Sequence, residues 1–187
     1  MGKLIELETS RLKLRQWRKQ DFPVFAAINA DTTVMKYYPN TLSEKESNEL
    51  ANRIQSLISE RGWGFWAVEE KNGEEFIGFV GLHIPTAELP CTPCVEIGWR
   101  LAKSLWGNGY ATEAAKAALN VALEQLSLSE VYSFTSVGNA RSRSVMERIG
   151  MVNTGDNFEH PDIPPGHQLR EHVLYKLTKE QWIKCIV

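Results

Sequence analysis

The 187-residue chain lacks the features that mark several large classes of protein. No apolar run approaches the roughly 20 residues that span a bilayer, so the sequence predicts no membrane association. The formal net charge is −2 and no basic run is present, which argues against a nucleic-acid-binding protein. The N-terminal segment has no apolar core of the kind found in secretory signals. Three cysteines are few and odd in number, which favours a reduced, cytoplasmic setting.

The spacing of cysteine and histidine gives little support for a redox or metal site. Cys91 and Cys94 form a CxxC pair, but a strand-like run follows, whereas a redox CxxC opens a helix that lowers the thiolate pKa. No second pair completes a zinc site. His160, His167 and His172 lie near the end of the chain, among prolines that break any regular ligand spacing. We therefore expect incidental thiols and no metal.

Hydrophobic periodicity predicts a mixture of helices and strands. Asp21 is predicted to cap the first helix, and Ser43 with Glu46 forms a capping-box pattern before the second. Asn72-Gly73 predicts a hairpin turn, and hairpin connections exclude an entirely parallel sheet. The predicted elements are a strand at 11–15, two helices beginning near 21 and 44, strands at 65–69, 76–81 and 95–101, a long helix at 111–126, a strand at 131–137, a helix at 140–149, and strands near 151–157 and 172–177.

The segment from Trp106 to Thr112 joins a predicted strand to the long alanine-rich helix. Gly107 and Gly109 let the backbone bend so that consecutive N–H groups converge, and the helix N-terminus adds partial positive charge that suits a phosphate. A dinucleotide-binding fingerprint needs a third glycine where Thr112 stands, and a P-loop needs Gly-Lys-Ser/Thr. By itself the spacing is also explained by a turn that uses glycine for geometry alone.

Four segments together resemble the GNAT acetyltransferase superfamily. Residues 105–114 are similar to its motif A, Gln/Arg-x-x-Gly-x-Gly/Ala, with Trp106 where Gln or Arg is usual. Segments 7–15, 95–99 and 139–151 resemble the branch that contains the ribosomal-protein N-terminal acetyltransferases, and the four occur in the right order over most of the chain. The resemblance implies one α/β domain over 1–187, with its core at about 8–178. It also implies a mixed, mostly antiparallel sheet with a splayed central strand pair flanked by helices.

The resemblance implies an N-acetyltransferase that uses acetyl-coenzyme A. The backbone amides of 107–112 would hold the pyrophosphate, and the strand 99–101 would offer amides to the pantetheine arm and the thioester carbonyl. Asn139 would bind the pantetheine end, although an asparagine at this position is also explained by a local turn. The implied cofactor-binding residues are Trp99, Arg100, Leu101, Gly107, Asn108, Gly109, Tyr110, Ala111, Thr112, Asn139 and Ser144.

Glu96 is the candidate base, directly or through a water, and the alternative is a structural carboxylate facing the cleft. The acid is unassigned, because Met146 stands where family members often have Tyr. Ser142 or Ser144 could bond the leaving thiolate, Tyr110 or Tyr132 could act instead, and so could solvent.

The acceptor pocket is predicted at Tyr37 and Tyr38, with His160 or His167 reaching it from the Pro-rich loop. The acceptor is a protein N-terminus or a small-molecule amine, and the protein is a monomer or homodimer. A non-catalytic acyl-coenzyme A binding or sensing module is the alternative.

Overall fold

The computed structural model describes residues 3–186, so residues 1, 2 and 187 of the predicted domain lie outside the described residues. In the described part no helix is long and apolar enough to cross a membrane. The elements are β1 (Leu7–Glu8), β2 (Leu12–Arg15), α1 (Asp21–Ala30), α2 (Glu44–Arg61), β3 (Phe65–Glu70), β4 (Gly78–His83), β5 (Glu96–Leu101), α3 (Tyr110–Asn120), β6 (Glu130–Ser136), α4 (Ala140–Arg148), β7 (Val152–Asn153), β8 (Phe158–Glu159), β9 (Glu171–Thr178) and α5 (Lys179–Ile186).

One nine-stranded sheet organises the chain, in the order β1-β2-β3-β4-β5-β6-β9-β7, with β8 also paired to β9. All of these pairs are antiparallel except β5 with β6, which run parallel. β5 and β6 share a single register pair, Glu96 with Tyr132. Beyond it the Ser133 hydroxyl donates to the Ile97 carbonyl at 2.9 Å. The mixed, mostly antiparallel sheet with a splayed central pair confirms the predicted fold class.

Helices cover both faces of the sheet. On one face Phe25 of α1 packs edge-on against Phe79 of β4 and against Trp17. On the other face the hydroxyl of Tyr110, the first residue of α3, bonds to Glu70 of β3. Ala114, Ala115 and Ala118 of α3 are fully buried, which lets the helix lie close to the strands. The alternation of side chains along each strand therefore separates the α1–α2 face from the α3 face.

The helix boundaries predicted from the sequence are only partly confirmed. Ser43 accepts from the Glu46 N–H and Glu46 accepts from the Ser43 N–H, which confirms the capping box. The predicted cap at Asp21 is wrong, because Gln20 precedes the helix and Asp21 instead forms a buried ion pair with Arg15. The long helix also differs from prediction, since it ends as a π-helical turn over Val121–Gln125.

The strand predicted from residue 76 begins at Gly78. Gly78 has φ +131°, and a Cβ there would lie 2.1 Å from the Arg100 carbonyl oxygen. The close approach of β5 thus requires glycine and interrupts the strand before it.

Candidate active site

The loop before α3 presents a row of free backbone donors. Gly107 and Gly109 have φ +83° and +79°, in the left-handed region that favours glycine. Within residues 3–186, none of the backbone N–H groups of residues 107–112 donates to a protein acceptor, and the first helical bond comes from the Glu113 N–H to the Gly109 carbonyl at 3.0 Å. A Cβ at Gly107 would meet nothing within 4 Å, so the loop opens to solvent. Six consecutive free donors at a helix N-terminus are the kind of group that can bind a phosphate or pyrophosphate.

Glu113 ties this loop to the start of the chain. Its carboxylate accepts hydrogen bonds from the Thr9 hydroxyl at 2.6 Å, the Ser10 hydroxyl at 3.0 Å and the Arg11 N–H at 3.0 Å, and pairs with the Arg11 guanidinium at 2.7 Å. Burial acts to raise the pKa of Glu113, but these bonds outweigh it and lower the pKa to about 2. Sequence reasoning missed this residue, because its partners lie about 100 residues away.

Arg11 adds positive charge beside the row of donors. Its guanidinium lies over the Tyr110 ring, 4.6 Å from the centroid, and its Nη2 would be 3.6 Å from a Cβ at Gly109. Arg141 stacks on the Trp106 ring at 4.6 Å. The indole N–H of Trp106 donates to the Leu101 carbonyl, so this tryptophan fixes the loop to the end of β5.

Glu96 lies at the point where β5 and β6 separate, beside Tyr132. Its side chain is half-buried, and burial raises the pKa of Glu96 to about 8. A carboxylate with a pKa near 8 is half ionised at mildly basic pH, and it can therefore accept a proton there and release it again. The position and the pKa both suit the role of base that the resemblance implies.

The other predicted residues of β5 point in two directions. Trp99 is half-buried and packs against the core, and Leu101 is buried. The Arg100 side chain lies on the α1 side, where its guanidinium donates to Asn29 at 2.6 Å and lies 4.2 Å from the ring centroid of Tyr38. Trp99 and Leu101 thus pack inward, while Arg100 faces the predicted acceptor residue Tyr38.

Asn139 caps α4 and is held by its neighbours. Its Oδ1 accepts from the Ser142 N–H at 3.3 Å, and its amide donates to the hydroxyls of Thr135 at 2.9 Å and Ser142 at 3.0 Å. Ser142 and Ser144 are both half-buried, whereas Met146 is buried in the core at 1% exposure. The structure thus brings Asn139 and Ser142 together at the end of β6 and leaves no proton donor at position 146.

Both tyrosine candidates for the acid have occupied hydroxyls. The Tyr110 hydroxyl bonds to Glu70, and this bond raises the pKa of Tyr110. The Tyr132 hydroxyl donates to Glu130 at 2.7 Å, and burial together with this bond raises the pKa of Tyr132. Each hydroxyl would have to leave its carboxylate before it could donate elsewhere.

The predicted acceptor residues separate into two groups. Tyr37 follows α1 and comes within 3.6 Å of the Cβ position of Gly138, at the end of β6, so the loop after α1 reaches across the splayed strands. His160 instead packs with His172 at 5.1 Å between ring centroids. Phe134 of β6 lies 5.9 Å from His160, and burial lowers the pKa of both histidines. Sequence reasoning missed Phe134.

The CxxC pair lies in the loop between β4 and β5, with its two sulfurs 2.8 Å apart. Burial raises the pKa of both thiols, which is opposite to the shift of a reactive cysteine. Cys91 and Tyr132 also border an open cavity of about 510 Å³ that does not touch the glycine loop. Among the described residues, no group of three or more His, Cys, Asp or Glu side chains is placed to hold a metal ion.

Comparisons with known proteins show similarity over most of the chain. Residues 11–152 match the family model described as an acetyltransferase (GNAT) domain. The chain is 30% identical over 185 residues to the FsC-acetyl coenzyme A-N(2)-transacetylase of Aspergillus fumigatus, covering 95% of this chain and 78% of that protein. A GNAT-family acetyltransferase from Bacillus anthracis superposes with a TM-score of 0.78 at 24% identity, over 94% of this chain and 99% of its own. The structure of RimL, the ribosomal L7/L12 alpha-N-protein acetyltransferase, in complex with coenzyme A superposes with a TM-score of 0.72 at 17% identity. The match covers 93% of this chain and 98% of the RimL chain.

Proposed function

Because the chain belongs to the GNAT acetyltransferase family, we propose that it transfers an acetyl group from acetyl-coenzyme A to a primary amine. The observation that carries the proposal is the row of six free N–H groups at residues 107–112, placed beside two strands that separate. A pyrophosphate needs several donors at once, and this loop offers them without competing protein acceptors. The parting of β5 and β6 leaves room between the strands for a linear arm.

Residues of this chain fit acetyl-coenzyme A in charge and in space. The amides of 107–112 would hold the pyrophosphate, with Arg11 adding positive charge beside Gly109. The amides of 99–101 and the Asn139 cluster would hold the pantetheine arm. When bound, acetyl-coenzyme A supplies an acetyl group activated as a thioester. No covalent enzyme intermediate is needed, since proximity and polarisation of the carbonyl suffice for direct attack within a ternary complex.

Glu96 is the proposed base. An α-amino group has an ordinary pKa of about 8 and a lysine-like amine about 10.4, so each is largely protonated at neutral pH. Glu96, with its pKa raised to about 8, can take the proton directly or through a water. Ser142, held against Asn139, is the proposed donor of a hydrogen bond to the leaving thiolate.

The proposed acceptor is a protein N-terminus or a small-molecule amine, which enters on the side of Tyr37 and Tyr38. The relatives' names support an amine: one is an N(2)-transacetylase and another is an alpha-N-protein acetyltransferase. We propose that the protein acts as a monomer or homodimer in the cytoplasm.

A non-catalytic acyl-coenzyme A sensor is the second candidate, and Met146 favours it. Met146 occupies the position where family members often have a tyrosine acid. Its thioether has no proton to donate, and the side chain is 1% exposed. Glu96→Gln separates the two functions. A catalyst would lose turnover while acetyl-coenzyme A still binds, whereas a sensor has no turnover to lose.

Isothermal titration with acetyl-coenzyme A tests the proposal first, on the wild type and on Gly109→Glu. We expect micromolar binding by the wild type and loss of binding by the variant. The added carboxylate would repel the pyrophosphate, and any side chain at position 109 would strain a backbone at φ +79°. Acetylation of a panel of amines and N-terminal peptides would then identify the acceptor. Absence of binding by folded wild-type protein would contradict the acetyltransferase function.

A further inference from the structure

Two arginines are buried in the described part of the chain, Arg15 at 4% exposure and Arg100 at 9%. Arg15 is fully paired. Its Nη1 and Nη2 bind both oxygens of Asp21 at 2.8 and 2.9 Å, its Nε binds Glu69 at 2.7 Å, and two backbone carbonyls accept from it as well. This arrangement is what a structural arginine in a protein interior requires, since a buried charge is stable only when it is paired and hydrogen-bonded.

Arg100 has a very different environment. Its Nη1 donates to the neutral amide oxygen of Asn29 at 2.6 Å, and this is the one hydrogen bond its side chain makes within residues 3–186. The Nε is buried and has no partner. Aromatic rings surround the guanidinium, with centroids at 4.2 Å for Tyr38 and 5.5 Å for Phe79. Arginine keeps its charge in a protein, and no acidic side chain in the described part of the chain pairs with this guanidinium.

The unpaired atoms of Arg100 have a specific geometry. Nε and Nη2 form one edge of the planar guanidinium, and their two N–H groups point in parallel. That edge matches the two oxygens of a carboxylate in a bidentate pair. Asn29 takes the opposite end of the group, at Nη1, and so orients the free edge.

Arg100 also lies on the acceptor side of the proposed site. It is four residues from Glu96 on β5, so both side chains are on the same sheet face and their Cα atoms are about 13 Å apart. Tyr38, which stacks on the guanidinium, is 37% exposed and belongs to the loop that crosses to Gly138. An acceptor that places its amine near Glu96 would extend along this face toward Arg100.

We propose that Arg100 binds a carboxylate of the acceptor, so that the enzyme acetylates amines of the amino-acid class. The inference rests on the proposed function and narrows its substrate. The carboxylate would complete the bidentate pair that the protein itself leaves open. An anionic group of the coenzyme is the other source of the same chemistry, and the experiment separates the two.

The test uses acceptors that differ by one carboxylate. ω-Amino acids from glycine to 6-aminohexanoate are compared with the alkylamines of equal carbon chain, from methylamine to pentylamine, for wild type, Arg100→Gln and Arg100→Lys. Arg53→Gln, on the exposed face of α2, is the matched control. We expect the wild type to show a KM at least tenfold lower for the best amino acid than for its alkylamine. Arg100→Gln should remove this preference by raising the KM for the amino acid toward that of the alkylamine, and Arg100→Lys should restore part of it, because lysine keeps the charge without the planar edge.

A binding measurement keeps the outcome clear if turnover is slow. The N-acetylated ω-amino acids and the matching N-alkylacetamides are titrated into each protein with coenzyme A present, while circular dichroism checks that Arg100→Gln is folded. Acids that raise the melting temperature of wild type and Arg53→Gln, but not of Arg100→Gln, support the proposal. Equal stabilisation by acids and amides, or none by the acids, overturns it. Weaker acetyl-coenzyme A binding in Arg100→Gln would assign the arginine to the coenzyme and also overturn it. Failure of acetyl-coenzyme A to bind the wild type would instead contradict the proposed function.

Discussion

Gly107 and Gly155 offer a matched pair of substitutions that separates backbone strain from ligand binding. Both have φ +83°, and a Cβ at either position would meet no atom within 4 Å. Gly107 belongs to the row of free N–H groups before α3, whereas Gly155 lies in the turn after β7. Alanine at either position therefore introduces the same strain and no clash, but only one of them touches the proposed pyrophosphate site.

The expected magnitudes follow from this geometry. An L-residue held in the left-handed region costs roughly 1–2 kcal/mol, so each variant should lose about that much free energy of unfolding. Gly107→Ala can relieve the strain by rotating its backbone, which turns the following N–H away from the ligand. One lost hydrogen bond to a charged group is worth about 1.5–3 kcal/mol, which is roughly a 10- to 150-fold rise in the Kd for acetyl-coenzyme A.

Urea unfolding and isothermal titration on the same three proteins provide the assay. We expect similar destabilisation of Gly107→Ala and Gly155→Ala, with the Kd raised in the first and within twofold of wild type in the second. Equal affinity of the two variants for acetyl-coenzyme A would refute the assignment of the loop. So would loss of affinity in Gly155→Ala alone.

Four further predictions concern charged groups. Turnover should rise with pH and level off above about pH 8 as Glu96 ionises, and Glu96→Gln should abolish this limb and lower kcat by about 100-fold in a pH–rate profile. The folded pKa of Glu96 exceeds its unfolded value, so the free energy of unfolding of the wild type should fall as pH rises from 5 to 8, by up to about 1.4 kcal/mol per pH unit. Urea titrations of Glu96→Gln should lack this slope. Glu113→Gln should lower the free energy of unfolding by about 2–3 kcal/mol at pH 7, and the wild type should lose the same contribution as pH falls from 4.5 toward 2. The control Glu124→Gln, at an exposed position, should change the free energy of unfolding by less than about 0.5 kcal/mol. Arg15→Met should lower the free energy of unfolding by about 3–5 kcal/mol, because it leaves the buried carboxylate of Asp21 without its partner. Arg100→Met should be neutral or stabilising in thermal melts, because it removes an unpaired buried cation. A large loss of stability in Arg100→Met would contradict that account.

The sequence predicted most elements where the relevant interactions are local. The capping box at Ser43 needs a partner three residues away, and the alternation along 95–101 is repeated within the strand itself, so each pattern identifies its element. The π-helical turn at Val121–Gln125 was missed, because over a single turn the spacing of apolar residues does not distinguish a π-helix from an α-helix. The cap predicted at Asp21 failed because a buried arginine six residues earlier binds that carboxylate instead.

The sequence by itself determined the glycine loop, the family and the order of the elements, because glycines, caps and periodic apolar residues act on their own stretch of chain. Only the tertiary structure decided the electrostatics of the site. The pKa of Glu96 depends on how densely other segments bury it, and that of Glu113 on donors about 100 residues away. The unpaired edge of Arg100 depends on Asn29 and Tyr38, which α1 and its following loop bring to β5. Burial and pairing are properties of a neighbourhood, and only folding assembles the neighbourhood.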